Sequence, residues 1–358
     1  MRFLMIYLEW RDRMNPFASY RAINTKLHAK KRILLSKNEW HKIAQYQEVS
    51  EVIGFLKKRT GYKEQMALYP SSDLHRLDLE VILDRYCVEE IETMLHYFSG
   101  SYKEFFKTFL MEYEISDLCL ILRTISREDE LKDIAKLFVH SEKWGLAQYH
   151  KLIGCKNVAQ FVEALRGTCY YSALKTMSVD DMVKREFHME MKLYVLFYNE
   201  LIEKASRLKP KDALLAKKMI GVKIDFINAG WIYRALKYYD ISPEEILIYS
   251  LPNGDKLSYS KLKKLSYSKN IEDYKMQVEK YLRYPLFKMK NDVFLDAMTD
   301  RYLYQFACHM DQDDESIASS IAYISLLGIE VNDLITLTEG IRYKLGEGDL
   351  SRYLVHTI

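Results

Sequence analysis

Proline and glycine are scarce in this sequence. Its 358 residues include six prolines and 13 glycines, about half the share that these residues have in an average protein. Tight turns depend on them, so a fold of many short strands joined by turns is disfavoured. Hydrophobic residues make up 49% and charged residues 29%, which is enough for a large buried core. The composition therefore predicts a globular all-α protein with long helices.

An excess of charge is also lacking. The chain carries 53 Lys and Arg against 50 Asp and Glu, a net charge of +3. A protein that binds nucleic acid through its phosphates needs clustered basic charge, so no nucleic-acid partner is expected. Tyrosine is abundant, with 28 residues, and the segment Tyr259 to Tyr284 mixes it with Lys and Ser. Base stacking is one interpretation of that segment, but its acidic residues favour packing or a protein interface.

Long apolar runs are missing as well. The most apolar stretches, such as Phe3 to Leu8 and Ile321 to Ile329, fall well short of the roughly 20 residues that cross a bilayer. We therefore expect no membrane span in this chain, and its first residues lack the pattern of a signal peptide. The five cysteines are odd in number and widely spaced. They are typical of a cytoplasmic protein with reduced thiols rather than of a disulfide framework.

What is present is a repeat of about one hundred residues. Its first motif is an acid followed at +3 by Asn or Asp and, in most copies, at +9 by Arg. The four copies are Asp12, Asn15, Arg21; Glu114, Asp117, Arg123; Asp225, Asn228, Arg234; and Glu330, Asp333, with Glu339 in the position of the Arg.

A second motif precedes each of the last three copies. It is an acid that follows Leu or Met, at Glu80, Glu190 and Asp296, and it stands about 34 residues before the acid of the first motif. The triplet Asp84-Arg85-Tyr86 follows Glu80, and Asp300-Arg301-Tyr302 follows Asp296 at the same distance. The constant offset between two motifs over three periods argues against coincidence.

The repeat predicts three similar helical domains. We assign residues 1–113 to the first, 114–222 to the second and 223–358 to the third, with 330–358 as a closing segment. Each unit combines a long helical arm with a cluster of shorter helices, and the arms are predicted at about 64–113, 176–222 and 287–329 from apolar residues at helical spacing.

The acid and the Arg of one first motif lie on opposite sides of a helix, because nine residues turn through about 900°. They therefore cannot pair with each other. One hypothesis is that the acid faces a neighbouring unit and the Arg another surface, which would join the repeats. The alternative is that both residues simply flank a buried stripe.

Catalytic and ligand-binding patterns are absent from the sequence. There is no phosphate-binding loop, no dinucleotide fingerprint, no Cys-x-x-Cys and no His-Glu-x-x-His. The acidic run after Asp311 has Ser316 where a calcium loop needs Gly. An enzyme on this scaffold would need Glu80, Glu190 and Asp296 to converge, and we favour a structural role for them. No catalytic residue, cofactor or metal is predicted.

Taken together, these residues resemble the C subunit of bacterial and archaeal V/A-type rotary ATPases, a relative of the d subunit of the eukaryotic vacuolar enzyme. The likeness covers essentially the whole chain, although Glu339-Gly340 stands where Arg-Gly is expected. It is carried by Asn15 to Ser36, Glu114 to Arg123, Asp225 to Asn228, Arg234-Ala235-Leu236, Pro243 to Ile246, Leu251 to Gly254 and Glu330 to Val355.

The resemblance implies a funnel of three all-helical domains with pseudo-threefold symmetry. It also implies a non-catalytic part of the rotor, on the cytoplasmic side of the membrane. Its partners would be the D and F subunits of the shaft and the membrane ring of proteolipid subunits, and the complex would transport H⁺ or Na⁺. ATP hydrolysis would occur in the A and B subunits.

Such a coupling element needs stiffness and a socket. Long helices packed around a cavity would supply both, since densely packed interiors resist deformation. The alternative function is a helical-repeat scaffold that binds other proteins, which would have a long concave surface rather than a closed arrangement.

Overall fold

The computed structural model describes residues 16–59, 61–67, 69, 74–127, 134–141, 143–176, 186–239, 241–289, 291–312 and 316–356. These residues form α-helices, two short 3₁₀-helices and connecting turns, and they contain no β-strand. The prediction of an all-α fold is confirmed.

Seven long helices form the frame of the molecule. In chain order they are α1 (Pro16–Lys31), α2 (Arg76–Leu95), α3 (Leu110–Ser126), α4 (Glu186–Ser206), α5 (Pro210–Tyr238), α6 (Leu295–Met310) and α7 (Ala318–Arg342).

Shorter helices fill the segments between them. The α-helices are Lys37–Ala44, Val49–Leu56, Lys63–Ala67, Gly100–Thr108, Tyr149–Leu152, Val158–Ala164, Cys169–Leu174, Pro243–Ile248, Tyr259–Ser266, Ile271–Leu282 and Glu347–Tyr353. The 3₁₀-helices are Ile134–Leu137 and Asp292–Phe294.

Local sequence signals explain where several of these helices begin. The Ser36 side chain accepts a hydrogen bond from the backbone of Glu39, whose own side chain returns to Ser36, which is a capping box. The Ser242 side chain likewise accepts from the backbone of Glu245, with Pro243 at the first helical position. The sequence predicts this second start from the favoured positions of Ser, Pro and acids at helix N-termini, and the structure confirms it.

Six of the long helices form a closed circuit. Each of α2 to α7 packs against the next in chain order, and α7 packs against α2. Both α1 and the short helix Val49–Leu56 also lie on α7. Residues from both ends of the chain therefore meet on one helix, and the stacked rings of Trp40 and His356, with centroids 4.6 Å apart, reinforce this closure.

The helix α7 is long and apolar enough to cross a membrane by length and composition alone. However, 67% of its most apolar stretch is buried inside the protein, and it contacts α1, α2, α5 and α6. It also carries two buried acids, Glu330 and Asp333. These contacts are those of the core helix of a globular protein.

Candidate functional site

The acid of the first motif anchors a loop from the cluster that follows it. Glu114, on α3, is 1% exposed and accepts hydrogen bonds from the backbone N–H groups of Leu146 and Ala147 at 2.7 and 2.8 Å. Its second oxygen accepts one from the Tyr170 hydroxyl at 2.6 Å. We call this arrangement, an acid on a long helix that binds backbone N–H groups of a distant loop, an acid clasp.

The same clasp recurs on α5 and α7. Asp225 accepts hydrogen bonds from the backbone N–H groups of Lys256 and Leu257 at 2.6 and 2.9 Å. Glu330 accepts one from the backbone of Leu35 at 2.7 Å and one from the Tyr62 hydroxyl at 2.6 Å. Unlike the partners of Glu114 and Asp225, those of Glu330 come from the first predicted domain.

Burial raises the pKa of these three acids. Desolvation raises the pKa of Glu330 to about 7, although the hydrogen bonds from Tyr62 and Leu35 oppose the shift. It raises the pKa of Glu114 and Asp225 as well, against their bonds to Tyr170 and to the backbone.

The residue at +3 binds a second segment. Asp117 accepts hydrogen bonds from the backbone N–H groups of Val139 and His140, both at 2.9 Å. Arg85, from the Asp-Arg-Tyr triplet on α2, donates to the carbonyls of Phe138 and Lys136 in that same segment. The segment is thus held by an acid at its N–H groups and by a guanidinium at its carbonyls.

The last copy repeats this pair of contacts. Asp333 accepts hydrogen bonds from the backbone N–H groups of Val355 and His356 at 2.9 and 2.8 Å. Arg301, from the second Asp-Arg-Tyr triplet, donates to the carbonyls of Ser351 and Leu354. The C-terminal segment of the chain is fixed in this way.

In the middle copy one side chain makes both contacts. Asn228 accepts a hydrogen bond from the backbone N–H of Leu251 and donates one to its carbonyl, each at 2.8 Å. Val195 stands where the other two copies have Arg. Since an amide has both an acceptor and a donor, Asn228 makes the two kinds of contact for which the other copies use an Asp and an Arg.

The Arg of the first motif pairs with the acid of the second motif. Arg123 binds Glu190 at 2.6 Å and Arg234 binds Asp296 at 2.6 Å. These ion pairs join helices of the same predicted domain. Asp12 lies outside the described residues, as does the side chain of Arg21.

The last copy lacks the ion pair between its two motifs. Glu339 stands in the position of the Arg on α7 and contacts Arg342 at 3.1 Å. On α2, Arg76 binds Glu80 at 2.6 Å. The hydrogen bond to Glu80 and the charge of Glu80 raise the pKa of Arg76, and the charge of Glu339 adds to this rise. That the motif residues join whole domains stays a prediction.

Two glycines allow the loops to approach the acids. A Cβ on Gly145 would lie 3.0 Å from Oε1 of Glu114. A Cβ on Gly254 would overlap Oδ1 of Asp225 and lie 3.1 Å from the carbonyl oxygen of Leu257. Gly254 therefore requires a residue without a side chain, because the carboxylate occupies the space, whereas a Cβ on Gly145 would need only a small shift of the Glu114 carboxylate.

The circuit of helices lines the main candidate site, a cavity of about 430 Å³ that is partly open to solvent. Each of α2 to α7 contributes to its lining. Equivalent positions of the repeat face it: Glu112, Lys223 and Gly328 each precede the acid of the first motif by two residues, and Asp84, Tyr194 and Asp300 each follow the acid of the second motif by four.

Two carboxyl groups that line the cavity have raised pKa values. Burial, followed by the charges of Glu80 and Glu112, raises the pKa of Asp84 to about 7. Burial, followed by Asp333 and Asp296, raises that of Asp300 to about 7 as well. Lys223 binds Glu112 at 3.2 Å, which links the first and third predicted domains.

These contacts do not form a catalytic centre. Glu80, Glu190 and Asp296 each pair with a different arginine, and within the described ranges no group of three or more His, Cys, Asp or Glu residues could hold a metal ion. Arg85 and Arg301 were not predicted as site residues, although their identical triplets are visible in the sequence. Tyr62 and Tyr170 follow Thr60-Gly61 and Thr168-Cys169 in a similar way, but their binding to Glu330 and Glu114 depends on contacts far along the chain.

The circuit of helices, the repeated clasps and the cavity define a class of protein: an all-helical repeat protein whose long helices close a circuit around a cavity. The family described as ATP synthase (C/AC39) subunit matches residues 23–353, and the chain belongs to that family. This family is a non-catalytic part of the rotary ATP synthase.

Curated relatives agree with this assignment. The C subunit of the A-type ATP synthase of Pyrococcus horikoshii is 22% identical over 242 residues, which cover 66% of this chain and 62% of the relative. The C subunit from Methanosphaera stadtmanae is 26% identical over 72% of this chain and 64% of its own length. That of Archaeoglobus fulgidus is 27% identical over 58% and 59%. The chain thus spans about three fifths of the length of these relatives.

Proposed function

We propose that this chain is the coupling element of a rotary ATPase, which joins the rotating shaft of the D and F subunits to the membrane ring of proteolipid subunits. It would lie on the cytoplasmic side of the membrane, attached through the ring, and serve ATP-driven transport of H⁺ or Na⁺. The observation that carries the proposal is the closed circuit of α2 to α7 around one cavity. Membership of the ATP synthase (C/AC39) family supports it.

The clasps suit a part that transmits torque. Arg85 ties α2 to the segment that Asp117 on α3 also holds, and Lys223 on α5 pairs with Glu112. Force applied to one arm is therefore passed to others through several fixed contacts. Dense packing around them resists deformation.

The cavity supports a socket role. Its volume, about 430 Å³, lies in the range of ligand pockets, roughly 300–1,000 Å³, and would accept side chains at the foot of a shaft helix. With this role we propose three domains, residues 1–113, 114–222 and 223–358, arranged as a funnel with pseudo-threefold symmetry.

The closed circuit argues against the scaffold alternative. A solenoid contacts only its neighbouring repeats and leaves its ends apart. Here the segment around Leu35 and Tyr62 binds Glu330 near the other end of the chain.

The test is to fill the cavity. Gly328 lines it, and a Cβ there would meet no atom within 4 Å, so Gly328→Trp places an indole in the cavity. We expect binding of a purified D/F complex to weaken at least about tenfold. Binding to the isolated ring should stay unchanged.

The matched control is Gly348→Trp, because Gly348 is exposed and its Cβ would also meet no atom. Equal D/F binding by both variants would remove the socket from the proposal. If the unaltered chain bound neither D/F nor the ring, the coupling role itself would be wrong.

A further inference from the structure

Three lysines lie around one tryptophan, where the helix Gly100–Thr108 meets the segment 143–147. The ammonium groups of Lys103, Lys107 and Lys143 lie 5.1, 5.5 and 5.5 Å from the ring centroid of Trp144. Lys103 and Lys107 are one turn apart on the helix Gly100–Thr108, so they share a face of it. Among the described residues no carboxylate lies within ion-pair distance of these three lysines; the charge of Lys107 reaches Glu114, where it partly opposes the rise in pKa that burial causes.

Such a cluster is a good binding site for an anion. Cation–π contacts with the indole hold the ammonium groups in place, but the like charges still repel one another. A phosphate group carries up to two negative charges and several acceptor oxygens, which would neutralise that repulsion.

The indole supplies a further donor. Nε1 of Trp144 is buried and has no hydrogen-bond acceptor in the described part of the chain. A buried donor without an acceptor is costly. A phosphate oxygen that reached the edge of the ring would give this N–H a partner.

The site is held in place before any ligand arrives. The backbone of Leu146 and Ala147, just after Trp144, is bound by Glu114, and Gly145 lies against the same carboxylate. The other two lysines stand on a helix whose Phe105 and Phe106 are fully buried. Little ordering is therefore needed on binding.

We propose that Lys103, Lys107, Lys143 and Trp144 form a binding site for a phosphate group. This chemistry belongs both to the headgroup of an anionic lipid and to a soluble phosphate compound. Leu146, 42% exposed beside the site, would contact the interfacial region of a bilayer if the ligand is a lipid. The proposal does not depend on the coupling role.

The experiment uses the full chain and two probes. Inorganic phosphate is titrated while tryptophan fluorescence is recorded, with Trp144→Phe to assign the signal. Binding to vesicles of phosphatidylcholine with or without phosphatidic acid is measured by flotation. The test variant is K103Q/K107Q/K143Q, and the control is K26Q/K58Q/K217Q, which removes three exposed lysines elsewhere.

We expect the test variant to bind at least one probe about tenfold more weakly, and the control to bind as the unaltered chain does. Loss for phosphate alone identifies a soluble ligand, and loss for vesicles alone identifies a lipid headgroup. If neither probe binds the unaltered chain, or if both variants lose binding equally, the site does not exist. Circular dichroism of each variant confirms that it is folded.

Discussion

The clasps of Glu114 and Glu330 contain the same chemistry at very different separations along the chain. Each acid accepts a hydrogen bond from a tyrosine hydroxyl at 2.6 Å and from loop backbone. The partners of Glu114 lie 32 to 56 residues away, whereas those of Glu330 lie 268 and 295 residues away. One clasp therefore closes a local loop, and the other joins the two ends of the chain.

This difference shows how the last unit of the repeat is completed. The helix α7 carries the motif, but the cluster that follows the motif in the other units is supplied by residues 35–62. The entropic cost of closing a loop rises only slowly with its length. A contact between the two ends of the chain therefore costs little more free energy than a local contact. Four experiments test or sharpen the comparison.

Glu330→Ala should have the largest effect. It leaves the N–H of Leu35 and the hydroxyl of Tyr62 buried without an acceptor, which costs about 4 kcal/mol of unfolding free energy at one to three per group. Urea unfolding measures the loss. Hydrogen exchange should show faster opening of the helix Val49–Leu56 in this variant.

Glu114→Ala is the matched variant, with a similar loss of stability but no opening of the helix Val49–Leu56. Glu330→Gln is the control, since its amide oxygen can accept from Leu35 and its NH₂ can donate to the Tyr62 oxygen. Equal exchange in the two alanine variants would show that the Glu330 clasp does not hold the chain ends together.

Gly254→Ala should come next. Its Cβ would overlap the Asp225 carboxylate, whereas the Cβ of Gly145→Ala would lie 3.0 Å from Glu114. Overpacking costs typically 1–3 kcal/mol, so we expect about 2 kcal/mol for Gly254→Ala and about 1 kcal/mol or less for Gly145→Ala. Thermal unfolding compares them, and the reverse order would mean that the two loops do not approach their acids as described.

The sequence predicted the all-α class, but its long arms ended just before Glu114, Asp225 and Glu330, which lie within α3, α5 and α7. It could not predict what the acids bind, because a backbone N–H is the same at every residue and leaves no pattern. Asn228 illustrates this: the change from Asp to Asn is visible in the sequence, but its meaning depends on Val195 replacing an arginine on a different helix.

The exchange at Glu339 was visible as a departure from the repeat. That Glu339 acts electrostatically on Arg76 could be recognised only when α2 and α7 were seen to pack against each other. A cavity that serves as a socket was expected from the sequence. That equivalent positions of the repeat line it follows from the closed circuit of helices, and helical periodicity alone cannot reveal such a circuit.

The folding stability of the protein should depend on pH through two carboxyl groups that line the cavity. The pKa of Asp84 and of Asp300 is about 7 in the folded state, against an ordinary value of 3.8. The folded state thus binds more protons than the unfolded state between pH 4 and 7, so these groups reduce stability as pH rises through that window. Asp84→Asn/Asp300→Asn should avoid this loss.

We expect this double variant to melt several degrees above the unaltered chain at pH 8, since each raised pKa corresponds to about 1 kcal/mol or more of lost stability there. The difference should shrink as pH falls towards 4 and vanish only below about pH 3, where both carboxyls are protonated in the folded and the unfolded state. Asp78→Asn, on the same helix as Asp84, is a control for amide substitution. A constant difference at all pH values would show that these two carboxyls do not titrate with raised pKa.

The smallest effects are expected at the two ion pairs of the motifs. In Arg123–Glu190 the side chains are 45% and 24% exposed, and in Arg234–Asp296 they are 44% and 76% exposed. Exposed pairs contribute about 0.2–1 kcal/mol because water screens them.

Double-mutant cycles with alanine at each position should give a coupling energy near the top of that range for Arg123–Glu190 and near the bottom for Arg234–Asp296. Repeating the cycles in 1 M salt should reduce the coupling of the second pair by the larger fraction. A larger coupling energy for Arg234–Asp296 than for Arg123–Glu190 would show that burial does not set the strength of these contacts.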